Sequence, residues 1–119
     1  MRMLFLLSAI IFLQARPAIA QQDNPSCVYV KYRGWVDKSF FVCSLITDSS
    51  FIYEVCYDEK NQYMLIQLKQ TFYHYCSINE NAVSSLLTAS SKGRYYNSYI
   101  KGKYDCRLNP IPEYNKTCK

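Results

Sequence analysis

The segment Phe51-Ile-Tyr-Glu-Val-Cys-Tyr-Asp-Glu-Lys-Asn-Gln-Tyr-Met-Leu-Ile-Gln-Leu-Lys-Gln-Thr-Phe-Tyr-His-Tyr-Cys76 holds three short runs rich in β-branched, long apolar and aromatic residues. They are Phe51–Tyr57, Tyr63–Leu68 and Phe72–Cys76, and the polar segments 58–62 and 69–71 separate them. Runs of this composition and length are strands, and connections this short make them an antiparallel meander. Side chains two apart share a face, which puts Val55, Tyr57, Met64, Ile66, Leu68, Tyr73 and Tyr75 on one buried side. His74 then points to the opposite side, where Glu54 is a candidate cross-strand neighbour.

Downstream of the meander, Asn79 suits a helix N-cap and Ile78 can staple onto Val83. Val83, Leu86 and Leu87 form an i, i+3, i+4 apolar stripe. Gly93 is expected to stop that helix in a left-handed conformation. A second short helix is expected from Arg94 to about Ile100, with Tyr96, Tyr99 and Ile100 on one face. Pro110 and Pro112 keep the chain beyond Tyr104 extended. Upstream, Cys27–Tyr32 alternates like a short strand and Gly34 marks a turn. Residues 35–47 show no clear period, and Phe40, Phe41, Val42 and Leu45 are expected to fill space beneath the sheet, tethered by Cys43. The expected fold class is therefore α+β: a three-stranded antiparallel meander covered on one face by one or two C-terminal helices and stapled by disulfides.

The first 20 residues read as a cleavable signal peptide. Arg2 is the basic start, Met3–Leu13 the apolar core, and Ala18 and Ala20 the small residues before the cut. That apolar core is shorter than a bilayer-spanning helix requires, so no membrane span is expected in the mature chain. The expected organisation is residues 1–20 signal peptide, 21–49 an extension with a short strand, 50–105 the main domain, and 106–119 a tail. Cys27, Cys43, Cys56, Cys76, Cys106 and Cys118 all remain after cleavage. An even cysteine count in a small exported chain implies three disulfides, whose pairing stays open. There is no C-x-x-C spacing and His74 is the only histidine, so neither a metal nor another cofactor is expected. Secretion or a bacterial periplasm is the expected destination. The triplet Asn115-Lys-Thr117 is a glycosylation acceptor only in a eukaryotic host.

The segment from about Ser50 to Tyr104 resembles the KTSC domain family. The resemblance rests on Tyr57-Asp58, the alternation Met64, Ile66, Leu68, the pair Tyr73-His-Tyr75, then Leu86 and Ala89, Ser91-Lys-Gly93, Tyr96-Asn97, Ile100 and Tyr104. Asn79 stands where the family commonly has proline before the helix. The resemblance implies a small module that has been suggested to bind RNA, because some members are attached to lysyl-tRNA synthetases, and that also occurs as stand-alone bacterial proteins. An export signal and six cysteines argue for a different setting here.

Read for chemistry, the chain has no nucleophile motif, metalloprotease motif or phosphate loop. No catalytic residue is expected. Tyr73 and Tyr75 share a face and can stack a base or a sugar, or pack on the helix stripe. From Lys92 to Lys119 there are seven basic residues against two acidic ones, in a formal charge of +5 for the chain. Lys92, Arg94, Lys101 and Lys103, interleaved with tyrosines, are the candidate anion-binding set, with the helix start near Gly93 and Arg94 adding backbone donors. The leading expectation is an exported binding module for an unidentified protein or anionic ligand. RNA or another polyanion held by the basic, tyrosine-rich C-terminal third is the alternative, and a small periplasmic enzyme comes third.

Overall fold

The computed structural model describes residues 25–118. The signal-peptide reading of residues 1–20 lies outside them. Six strands form, β1 (Cys27–Val30), β2 (Gly34–Asp37), β3 (Val42–Leu45), β4 (Ile52–Asp58), β5 (Tyr63–Leu68) and β6 (Thr71–Tyr75). Helix α1 (Glu80–Thr88) follows, then α2 (Lys92–Tyr95), which continues into a wider helical turn over Tyr96–Ile100. The strands make one sheet in the order β2-β1-β6-β5-β4-β3, antiparallel except where β1 meets β6 in parallel through Val30 and Phe72.

The three-stranded meander is thus the centre of a six-stranded mixed sheet, which corrects the expected fold class. The missed strands have physical reasons for being missed. β3 is an edge strand with Val42 and Leu45 exposed at 80% and 77%, so no buried face imposes alternation on it. It is held by pairing with β4, including the opposed Cys43 and Cys56. β2 is the return arm of a hairpin whose turn uses Gly34 at φ +108°, a conformation that favours glycine. The four residues expected beneath the sheet part company, with Phe41 buried, Phe40 partly exposed, and Val42 and Leu45 in the solvent.

Both faces of the sheet are covered. On the helix face, Ile52, Val55, Met64, Ile66 and Tyr75 pack against Ile78, Val83, Leu86, Tyr96 and Ile100, with Tyr57, Leu68 and Tyr73 at the margin. A bulge between Ile52 and Glu54 puts Ile52 and Val55 on this face although they are three apart. The opposite face buries Val30, Val36, Phe41, Cys56, Tyr63, Leu65, Phe72, Cys76 and Cys106, with Ile111 and Tyr114 of the C-terminal tail laid across it. This tail has no secondary structure of its own. Cover on a single face, as first expected, is corrected by this second layer.

The Asn79 side chain accepts the Ala82 N–H at 2.9 Å, and Ile78, Val83 and Leu86 are buried together. Gly93 does not end that helix. It lies inside α2 with Phe51 packed on it, where a Cβ would come within 2.6 Å of the ring. Close approach, not a left-handed turn, is the reason for glycine. The second helix begins two residues earlier than expected and buries Tyr96 and Ile100 while Tyr99 stays 59% exposed.

All six cysteines are paired: Cys27 with Cys118, Cys43 with Cys56, and Cys76 with Cys106. Three such bonds in a chain this small indicate an oxidising environment. Among the described residues no helix is long and apolar enough to cross a membrane.

Candidate functional site

β6 is paired along one side by β5 for its whole length, and along the other side only at its two ends. At the first end the Lys31 N–H donates to the Phe72 carbonyl at 2.8 Å; at the second the Cys76 N–H donates to the Tyr104 carbonyl at 2.9 Å. Alternate residues of a strand direct their N–H and C=O to the same side. The peptide groups of His74 therefore face outward between those two contacts. There the sheet edge opens into a groove of about 630 Å³ floored by Tyr73, His74 and Tyr75.

The groove has two walls. One is the turn after β1, where Tyr32 is 80% exposed and the Lys31 amine lies 5.4 Å from the Tyr32 ring and 5.9 Å from the Tyr73 ring. The other is the loop from Gly102 to Arg107, with Ile111 beyond it. The Cys76–Cys106 disulfide and the Cys76–Tyr104 backbone bond hold that loop against the end of β6. Tyr32 and Tyr104, the residues that turn the chain away from the edge on either side, both have left-handed backbones, φ 73° and 59°. Non-glycine residues in that region cost on the order of 1 kcal/mol or more and concentrate at functional positions.

Electrostatically the groove is cationic. The Arg107 guanidinium grips Asp105 through three contacts of 2.7, 3.1 and 3.1 Å and, with the Arg107 backbone N–H, holds its carboxyl down at about 2. That leaves Lys31 and Lys103 without a carboxylate partner among the described residues. The His74 ring turns to the tail-covered face, where Nδ1 lies 2.8 Å from the Tyr63 hydroxyl. Burial lowers its pKa below the usual 6.5, Arg33 adds to the effect and Asp105 opposes it, so the ring is neutral near pH 7. On the helix face the Tyr75 and Tyr96 hydroxyls meet at 2.5 Å, and burial followed by that contact pushes Tyr75 far up.

The residues singled out from sequence scatter over three places. Tyr73, Tyr75, Lys103 and Tyr104 come together at the groove. Tyr57 and Asp58 sit at the far end of β4, where the Tyr57 hydroxyl donates to the Ile78 carbonyl and Asp58 accepts from Asn61 and Tyr114. Ser91, Gly93, Tyr96, Asn97 and Ile100 belong to α2 and the turn after it; Ser91 caps α2 by accepting the Arg94 N–H. Of the anion-binding candidates, Arg94, Lys101 and Lys103 are exposed. The Lys92 amine is engaged by Asp48 at 3.0 Å and by the Ala89 carbonyl at 3.2 Å. Glu54 is no neighbour of His74: β5 lies between their strands, and Lys38 pairs with Glu54 at 2.9 Å. The clusters of cysteine and acid, Cys27/Asp37/Cys118 and Cys43/Glu54/Cys56, each contain a disulfide, so their sulfurs are not available as thiolate ligands. Sequence reasoning missed Tyr32, Lys31 and the open His74 peptide. Only the turn signal at Gly34 pointed to that part of the chain, and nothing in it said that the turn meets β6.

The comparisons with known proteins agree on one region. The model of the KTSC domain family matches residues 48–104. Among solved structures, the crystal structure of a KTSC domain protein from Yersinia pestis is similar, with a TM-score of 0.52 and 33% sequence identity over 55% of this chain and 92% of that one. No curated protein matches the chain. The matched residues hold β4, β5, β6 and both helices; β1, β2, β3 and the tail lie outside them. The groove therefore joins a floor from the matched region to a wall, Tyr32, from the preceding extension.

Proposed function

We propose that this protein, which belongs to the KTSC domain family, is an exported, non-catalytic binding module that holds its ligand in the groove at the open edge of β6. The observation that carries this reading is the unpaired peptide edge of His74, set in a walled, cationic, tyrosine-rich groove. A pocket with a few convergent polar groups is where a ligand is best bound. Left-handed tyrosines on both sides are the kind of strain a chain keeps where shape matters. Against catalysis stand the chemistry of the groups present. His74 is hydrogen-bonded to Tyr63, Asp105 is committed to Arg107, and all the cysteines are oxidised. Export is supported by the three disulfides together with the signal-like residues 1–20 and their small residues Ala18 and Ala20.

A second reading keeps a polyanion such as RNA as ligand, on the exposed Arg94, Lys101 and Lys103. It is weakened by Lys92, whose amine already has an acidic partner. Amide chemical-shift mapping of the isotope-labelled mature protein against small libraries of peptides, oligosaccharides and nucleotides separates the two. Shifts at residues 73–75 and 102–107 support the groove. Shifts centred on Arg94 and Lys101 sink it in favour of the polyanion surface. Intact mass of the exported protein tests the processing, with Gln21 expected as its first residue.

A further inference from the structure

Resting on that reading of the groove, we propose that its ligand is the C-terminal end of a peptide, bound as one added strand residue with its free carboxylate toward Lys103. The open edge is one residue long. Lys31 closes it at Phe72 and Tyr104 closes it at Cys76, so only the N–H and C=O of His74 are on offer. Those two groups match one residue of an extended chain running parallel to β6, with the carbonyl before that residue accepting the His74 N–H and the N–H after it donating to the His74 carbonyl, as in other cases of strand addition. A strand running through would collide with the Lys31 backbone at one end and Tyr104 at the other. A chain end needs no exit.

The charge says which end. An amino terminus would bring a cation to Lys31 and Lys103, neither of which has a carboxylate partner among the described residues. A carboxylate at the Tyr104 end meets Lys103 there, and the one acid of that wall, Asp105, is already neutralised by Arg107. The rings of Tyr32 and Tyr73, already bridged by the Lys31 amine, give the last side chain an apolar surface.

The test uses the disulfide-bonded mature protein and two probes, the acetylated tripeptide Ala-Ala-Tyr as its free acid and as its carboxamide. The acid should shift the amides of residues 73–75 and 102–107 and slow hydrogen exchange at His74. The carboxamide should bind about tenfold more weakly, a factor worth roughly 1.4 kcal/mol. Lys103→Gln, a change at an exposed residue, should bring the acid down toward the carboxamide. Equal affinity of the two probes, or an unshifted His74 amide, overturns the proposal. If uridine monophosphate shifts the groove signals and neither tripeptide does, the proposal is overturned while the groove stands as the binding site. If none of the three moves residues 73–75 or 102–107 at millimolar concentration, both readings fail.

Discussion

The two faces of the sheet are buried by different means. The helix face is covered by regular structure encoded directly after the three strands it covers, and its cluster contains no cysteine. The opposite face is covered by a tail without helix or strand, and three cysteines lie in its cluster with Cys43 packed against it. A helix satisfies its own backbone and brings a continuous apolar stripe, so packing alone can hold it. An extended strap satisfies little of its own backbone and must be tied. Here the ties are the disulfides at Cys76–Cys106 and Cys27–Cys118 and side-chain hydrogen bonds. Tyr114 donates to Asp58 at 2.5 Å, Thr117 to Asp37 at 2.7 Å, and Arg33 to the Pro112 carbonyl at 2.7 Å. The lesson is that irregular cover in a small domain is held by cross-links where regular cover is held by apolar contact.

The most severe test of this contrast is reduction. With each bridge contributing about 2–4 kcal/mol, reducing all three should cost the fold about 6 kcal/mol or more. Urea titrations with and without reductant measure it. Unfolding free energies that agree to within about 1 kcal/mol would show that the strap holds itself, and the contrast would collapse.

Next in size is truncation of the helix-side core with the disulfides intact. Leu86 is fully buried, and Leu86→Ala should destabilise by about 3 kcal/mol. Ile111→Ala, on the half-buried strap residue, should cost less than about half of that by the same measurement. Equal losses would mean that apolar contact holds both faces alike.

The smallest expected effect sharpens the role of the strap's hydrogen bonds. Tyr114→Phe removes the donor to Asp58 and should cost about 1–2 kcal/mol at neutral pH. Burial pushes the Asp58 carboxyl up, but the hydrogen bonds from Tyr114, Asn61 and the Asn61 and Lys60 backbones outweigh it and leave the group below its ordinary 3.8. A carboxyl lowered by folding stabilises the protein above that value and loses the contribution as pH falls through the folded pKa. The gap between wild type and Tyr114→Phe should therefore be full above about pH 4 and narrow as the pH falls below it through the folded pKa. His74, lowered from 6.5, adds an earlier decline below that pH in both proteins, because the unfolded chain takes up the proton first. A gap that stays the same down to the acid-unfolding transition would remove Asp58 from the account.

How much of this was legible in advance depends on the range of the signal. The helix-face residues Val55, Met64, Ile66 and Tyr75 follow from alternation alone, and the Asn79 cap from local chemistry. The second buried face had a signal too. Tyr63-Met-Leu-Ile66 is apolar without a break, which is how a strand buried on both sides reads. At the groove, the types of residue were visible as Tyr73, Tyr75, Lys103 and Tyr104, but their partner Tyr32 lies more than 40 positions upstream of the floor it joins.

By itself the sequence determined the three central strands, the start of the helix that follows them, and the presence of enough cysteines for three bridges. These rest on periods of two and of about 3.6 residues and on capping within one turn, which neighbouring residues settle among themselves. Only the tertiary structure decided that β1 lies beside β6, which cysteines pair, why residue 93 is glycine, and that one peptide of β6 stays open between two tyrosine walls. Each of those depends on segments distant in the chain meeting. Which meeting wins is a balance of loop closure against the burial of whole faces, and that balance is not carried by any local pattern.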